Sequence, residues 1–225
     1  MPLEDIFPIT IFKDYIDDID NSELIKACEE IKELDIEGRA TCPRKFPFGY
    51  TSYYTIDDIH IRLKDEEENP VYSKFSLLIS EILKRAQFYA DELLADNGLN
   101  QQMMHKEGAT QGLDHRKEVW IQSCWVNITE QYNYHDIHNH ANSFISGIYY
   151  LNDVSSLTLY SLNQYKQEVM TYESREGLVL LWPGWLYHQA NQIIKKETKY
   201  GITFNIGCDV WGSATKEEKE KNETI

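Results

Sequence analysis

Basic residues are scarce in this chain: 22 Lys and Arg stand against 37 Asp and Glu over 225 residues, a formal net charge of −15. A surface of that sign repels phosphate backbones, which argues against duplex DNA or RNA as a general partner but not against a small molecule or a peptide. Cysteine is also rare. Cys28, Cys42, Cys124 and Cys208 form no CxxC or other metal spacing, and they read as reduced, mostly buried thiols of a cytosolic protein. No apolar run reaches membrane-spanning length, so no membrane partner is expected. The start, MPLEDIFPITIF, carries acidic residues and no basic stretch, unlike a secretory leader. The Asn-x-Thr triplets at Asn127 and Asn222 are then not expected to carry sugar. A Walker loop, a Rossmann glycine pattern and a Ser/His/Asp or Cys/His order are missing too.

What is present is a core-forming composition, 42% hydrophobic with 15 Tyr and 5 Trp, enough for one domain. Residues 6–12 read as a short strand. Asp20 reads as an N-cap opening an amphipathic helix to about Leu34, with Glu23 three residues on. Residues 39–56 read as loop with a little strand. Val71 to Leu94 carries Phe75, Leu78, Ile79, Ile82, Leu83 and Ala86 at helical spacing, and Asn97-Gly98 stops it. After residue 117 the period becomes strand-like, in runs at 118–129, 135–141, 143–151, 156–162, 166–172, 177–182, 185–193 and 198–210. Two helices followed by eight short strands predict a mainly β fold with N-terminal helices, a double-stranded β-helix (jelly roll, cupin-like). The expected organisation is one domain over 1–213, with helical support in 1–117 and the jelly-roll core in 118–213. Residues 214–225 form a charged tail expected to be disordered.

Three of the seven histidines fall in His135-Asp136-Ile137-His138-Asn139-His140. On a strand, positions i and i+2 share a face, so His138 and His140 project together and His135 turns away. His188 lies on a distant run, beyond the Trp182-Pro183-Gly184 turn. Two ligands from one strand and a third from another make a facial metal site, which leaves other positions open for reactants. Asp136 is the alternative third ligand. His60, His105 and His115 are assigned no role. In the last run Lys199, Gly201, Thr203 and Asn205 share a face, so Lys199 and Asn205 can line one pocket. Asn127 shares a face with Trp125 and joins them as a pocket candidate. Trp182 and Trp185 read as core or rim.

The segment WVNITEQYNYHDIHNHANSFISGIYYLND, with GLVLLWPGWLYHQANQ and TKYGITFNIG, resembles the 2OG-Fe(II) oxygenase family common in phages and marine bacteria, within the superfamily that includes prolyl hydroxylases. The resemblance is strong over about residues 118–207. It implies Fe(II), 2-oxoglutarate as cosubstrate and O2, with hydroxylation of a C–H bond, and a peptidyl proline among the substrates to consider. It implies that Tyr150 hydrogen-bonds the 2-oxoglutarate carboxylate. Two positions depart from the superfamily. The Asp of His-x-Asp is His140 here, which leaves an Fe(II) site at +2, a charge a dianionic cosubstrate neutralises. The arginine usually found about eleven residues past the last histidine is Lys199, a point charge without the bidentate fork. A three-histidine cupin-type dioxygenase that needs no 2-oxoglutarate is one rival reading. A catalytically inactive jelly roll serving as a binding or virion-associated module is the other. A cytoplasmic location (the host's, if phage-encoded) is expected, and a homodimer is compatible with the sequence.

Overall fold

The computed structural model describes residues 9–45, 49–64, 69–96, 118–161 and 169–208. Among the described residues, ten strands form two antiparallel sheets. The first has six strands in the order β1-β8-β5-β10-β3-β2, and the second has four in the order β4-β9-β6-β7. Their ranges are β1 Phe12–Tyr15, β2 Gly49–Thr51, β3 Val119–Thr129, β4 His135–His138, β5 Ile145–Tyr150, β6 Ser156–Tyr160, β7 Val169–Glu173, β8 Leu178–Pro183, β9 His188–Ala190 and β10 Lys199–Cys208. Each of the eight expected runs after residue 117 overlaps one strand; β7 and β8 end one residue past their runs, and the strands at 135–141 and 185–193 are much shorter than theirs.

Strand alternation explains the layering. On β5 and β8, Tyr149, Val179 and Leu181 join the larger core, where helices cover the six-stranded sheet, while Ile148, Tyr150, Leu178, Leu180 and Trp182 join a second core between the sheets. Both faces of these central strands are therefore buried, and their sequences read as nearly continuous apolar runs. On β10, Ile202, Phe204 and Ile206 face the helices.

Helix α1 (Asn21–Leu34) begins as expected: the Asp20 carboxylate accepts from the backbone N–H groups of Ser22 and Glu23, each at 3.1 Å. Helix α3 is the single turn Ile59–Arg62, and helix α4 (Ser76–Asp96) follows a 3₁₀ turn at Tyr72–Phe75 and buries Leu78, Ile79, Ile82, Ala86 and Tyr89. The Asn97-Gly98 stop, His105, His115 and the tail lie outside the described residues.

Two expectations fail. The first strand is Phe12–Tyr15 rather than 6–12, because Phe12 pairs with Leu181 and the ladder runs forward from there; residues 6–8 are not described. The loop expected over 39–56 instead opens as helix α2, Ile36–Lys45, before β2. Its start is hidden because Asp35 closes α1 and serves α2 at once. Its N–H donates to Ile31 O, and its carboxylate accepts from Gly38 N at 2.9 Å, Tyr50 Oη at 2.8 Å and Thr55 Oγ1 at 2.6 Å. A Cβ on Gly38 would lie 1.9 Å from that carboxylate, so the helix needs glycine there. Cys28, Cys124 and Cys208 are buried. No helix among the described residues is long and apolar enough to cross a membrane.

Candidate metal centre and cosubstrate pocket

The ligand atoms of His138, His140 and His188 all lie within 4.8 Å of one another. His138 and His188 are direct cross-strand partners of β4 and β9, and their ring centroids are 4.2 Å apart. His140 lies past the end of β4 and is not held by a ladder. Its N–H donates to Gly184 O at 2.8 Å, which ties it to the Pro183-Gly184 turn. Gly184 permits the approach, since a Cβ there would fall 2.1 Å from Ser143 O and 2.8 Å from His140 O. Gly184→Ala should therefore push the turn off the His140 loop. We expect it to destabilise the metal-free protein in urea unfolding by at least about 2 kcal/mol, because the clash is with backbone, which yields less than a side chain does.

Each imidazole has one nitrogen committed. His138 Nδ1 lies 2.7 Å from Asp136 O, His188 Nδ1 3.1 Å from Leu186 O, and His140 Nδ1 2.6 Å from Asn205 Oδ1. An oxygen of this kind only accepts, so each Nδ1 carries the proton and each Nε2 keeps a lone pair for a metal. Desolvation holds all three below the ordinary histidine range, His188 at about 2. Neutral imidazoles with free Nε2 atoms are the donor set a divalent metal requires. The Asp136 side chain is exposed and stands outside this group; the residue contributes its backbone oxygen instead.

His135 was expected to turn away and does not. The β4–β9 register shifts between His135 and His138. An extra residue in one strand reverses the parity of the alternation. His135 therefore lines the same cavity, its ring centroid 4.1 Å from that of His138.

The cavity has a volume of about 550 Å³. It receives Asn127, Lys199, Thr203 and Asn205 from the six-stranded sheet. Gly201 does not line it, and a Cβ there would meet Ile148 at 3.3 Å. Among the described residues the lining contains no aspartate or glutamate, despite the acidity of the chain. Lys199 is 4% exposed and has no hydrogen-bonding or carboxylate partner among the described residues; its Nζ sits 5.4 Å over the Tyr150 ring. Burial pushes its pKa down to about 8. Tyr150 stands behind the wall in the inter-sheet core, with a buried hydroxyl that has no partner among the described residues. Asn127 Nδ2 donates to Thr203 Oγ1 at 2.7 Å. A buried ammonium in a cavity shared with an imidazole cluster is a group that a carboxylate ligand would satisfy.

Sequence reasoning missed an aromatic wall. Trp125 lies beside His140 at 6.0 Å and 21°, Tyr53 meets Trp125 at 4.9 Å, and Tyr54 meets Tyr53 at 5.5 Å. Tyr53 and Tyr54 belong to a 3₁₀ turn that β2 delivers by pairing Thr51 with Asn127, and no local motif marks them. Trp182 also lines the cavity, edge-on to His188 at 4.8 Å.

The two antiparallel sheets are those of a double-stranded β-helix, and the three histidines grouped between them could hold a metal ion. Residues 123–205 match the family described as Putative 2OG-Fe(II) oxygenase. Two solved structures share the fold over most of their length. AviO1 from Streptomyces viridochromogenes Tue57 is 11% identical, covers 87% of each chain and has a TM-score of 0.54. A prolyl hydroxylase from Trichoplax adhaerens, solved with a hypoxia inducible factor peptide fragment, is 11% identical, covers 96% of this chain and 86% of its own, and has a TM-score of 0.51. A 2OG-Fe(II) oxygenase family oxidoreductase from Burkholderia pseudomallei matches at 14% identity and a TM-score of 0.37, over 51% of this chain and only 54% of that one. No curated protein sequence matches the chain.

Proposed function

We propose that the protein is an Fe(II)- and 2-oxoglutarate-dependent dioxygenase that hydroxylates a C–H bond. His138, His140 and His188 hold the iron, and Lys199 holds the distal carboxylate of 2-oxoglutarate. The observation that carries this reading is Lys199, a buried ammonium without a carboxylate partner among the described residues, in an acid-free cavity that also receives three converging imidazoles. With iron bound, 2-oxoglutarate and O2 supply hydroxylation coupled to formation of succinate and CO2.

The chain's own groups bind and orient. Three neutral imidazoles leave a divalent metal at +2, which favours a dianion. Asn127 and Thr203 form a hydrogen-bonded pair on the wall between Lys199 and Asn205. Trp182 and Leu157 make the inner wall apolar and exclude water. The substrate, a small molecule or a peptide side chain such as a prolyl ring, enters past Tyr53 and Tyr54. Residues 1–213 act as one oxygenase domain.

Anaerobic addition of Fe(II) and then 2-oxoglutarate should produce the weak visible charge-transfer band of the chelate, and air should then convert 2-oxoglutarate to succinate. Iron binding without a band or succinate would point to a three-histidine dioxygenase that takes its substrate directly on the metal. No iron binding at all would leave the binding-module reading. Tyr150→Phe removes a buried hydroxyl that the free protein leaves unsatisfied. It should cost the metal-free protein no stability and weaken 2-oxoglutarate by about 5- to 10-fold, read from the same band.

A further inference from the structure

The three imidazole tethers differ in kind. Those of His138 and His188 are main-chain oxygens, of Asp136 and Leu186, and no substitution at those residues removes the acceptor. The tether of His140 is a side chain, Asn205, 65 residues away on β10. His140 is also the member of the group that lies outside a strand, so its ring depends most on what it touches. Asn205 is itself held on both sides. Its Oδ1 accepts from Ser146 Oγ at 3.0 Å, and its Nδ2 donates to Ser123 Oγ at 3.1 Å. Ser146 lies on β5 and Ser123 on β3, so the two neighbours of β10 aim the amide. The β10–β3 register shifts just beyond it, between Asn205 and Ile206. Asn205 was a pocket candidate from strand alternation alone; here its polar atoms are spent on His140 and two serines.

We propose that Asn205 is a positioning residue of the metal centre: its amide oxygen fixes His140 as the Nδ1–H tautomer with Nε2 toward the metal, and it does so without adding charge. The inference rests on the metal-centre reading given above. A carboxylate at 205 would accept the same hydrogen bonds, since hydroxyls rotate to suit. It would also place a negative charge beside the site, lowering its net charge from +2 to +1 and opposing a dianionic cosubstrate. A neutral tether thus matches a neutral imidazole at the position where the related superfamily uses aspartate.

The test compares Asn205→Leu and Asn205→Asp with the parent. Long-range ¹H–¹⁵N NMR of the metal-free protein, at a pH where the imidazoles are neutral, reads the His140 tautomer. Calorimetry with Co(II), and then with 2-oxoglutarate on the Co(II) protein, reads affinity. The parent should show His140 as Nδ1–H. Asn205→Leu should lose that preference and bind Co(II) about 10- to 100-fold more weakly. Asn205→Asp should keep the tautomer and bind Co(II) at least as tightly as the parent within about threefold, but bind 2-oxoglutarate about tenfold more weakly. A parent in the Nε2–H form, with the amide turned over to donate to Nδ1, overturns the proposal. So does an Asn205→Leu protein with parental tautomer and Co(II) affinity. If the leucine variant does not fold, the aspartate arm decides, and loss of the tautomer or unchanged 2-oxoglutarate affinity overturns the proposal. A parent that binds no Co(II) defeats the metal-centre reading instead, and the tautomer measurement on the metal-free protein still tests the tether.

Discussion

Lys199→Met is expected to weaken 2-oxoglutarate binding by at least about tenfold, roughly 1.4 kcal/mol or more, while Fe(II) affinity stays within about twofold. Lys199 is the buried cation of the cavity lining. A dicarboxylate whose far end meets methionine leaves a desolvated charge unpaired. The same substitution should stabilise the metal-free protein. The Lys199 pKa is pushed from 10.5 down to about 8 by burial. Below pH 8 the lysine is charged in both the folded and the unfolded chain, and the folded chain bears the full desolvation cost, about 3 kcal/mol from the size of the shift. Between about pH 8 and 10.5 the folded state sheds its proton first, so that cost fades as pH rises. The variant should therefore be more stable than the parent at pH 7, with the difference shrinking toward pH 10.5 in urea unfolding. Parental 2-oxoglutarate affinity should in turn fall as pH climbs past about 8, because the dianion binds the protonated amine. A variant that gains stability but binds 2-oxoglutarate like the parent would place the anchor elsewhere. One that loses both affinities would mark Lys199 as a packing residue.

The sequence carried the features that repeat with a short period or sit in a chemical motif. The Asp20 cap, the α4 stripe and the eight strand-bearing runs were legible because each is written within a few neighbouring residues. The convergence of His138, His140 and His188 was legible from their spacing, though for a partly incorrect reason. His138 and His140 do not share a face of one continuous strand, since β4 ends at His138 and the turn around Gly184 holds His140. His135 was misplaced because a single bulge reverses alternation, and bulges leave little trace in sequence. Helix α2 was missed because its start depends on one aspartate closing the preceding helix while meeting Tyr50 and Thr55. The wall of Tyr53, Tyr54 and Trp125 was invisible for a similar reason, since it exists only when β2 pairs with β3. The tethering of Asn205 could not be read either, because strand alternation gives a face and not a partner.

His188→Ala should lower Fe(II) affinity by at least about 100-fold, equivalent to about 2.7 kcal/mol, because a facial site that loses one of three ligands keeps only a chelating pair. Anaerobic titration with Fe(II), or with Co(II) as a spectroscopic substitute, measures it. His188 is also buried, 4% exposed and packed edge-on against Trp182, so truncation leaves a void and should cost the metal-free protein about 1–3 kcal/mol at neutral pH. That cost should shrink in acid. Desolvation, reinforced by His138, holds the His188 pKa at about 2, whereas the unfolded chain titrates near the ordinary 6.5. Between these values the unfolded state binds the extra proton, so this residue makes stability fall as pH drops below 6.5, at up to about 1.4 kcal/mol per unit. His188→Ala removes that contribution. Urea unfolding in the presence of a chelator should show parent and variant converging as pH is lowered from about 7.5 to about 5. Parallel curves would mean that His188 is solvated in the metal-free protein and not held as a neutral, preformed ligand. Fe(II) affinity unchanged in the variant would remove His188 from the metal centre.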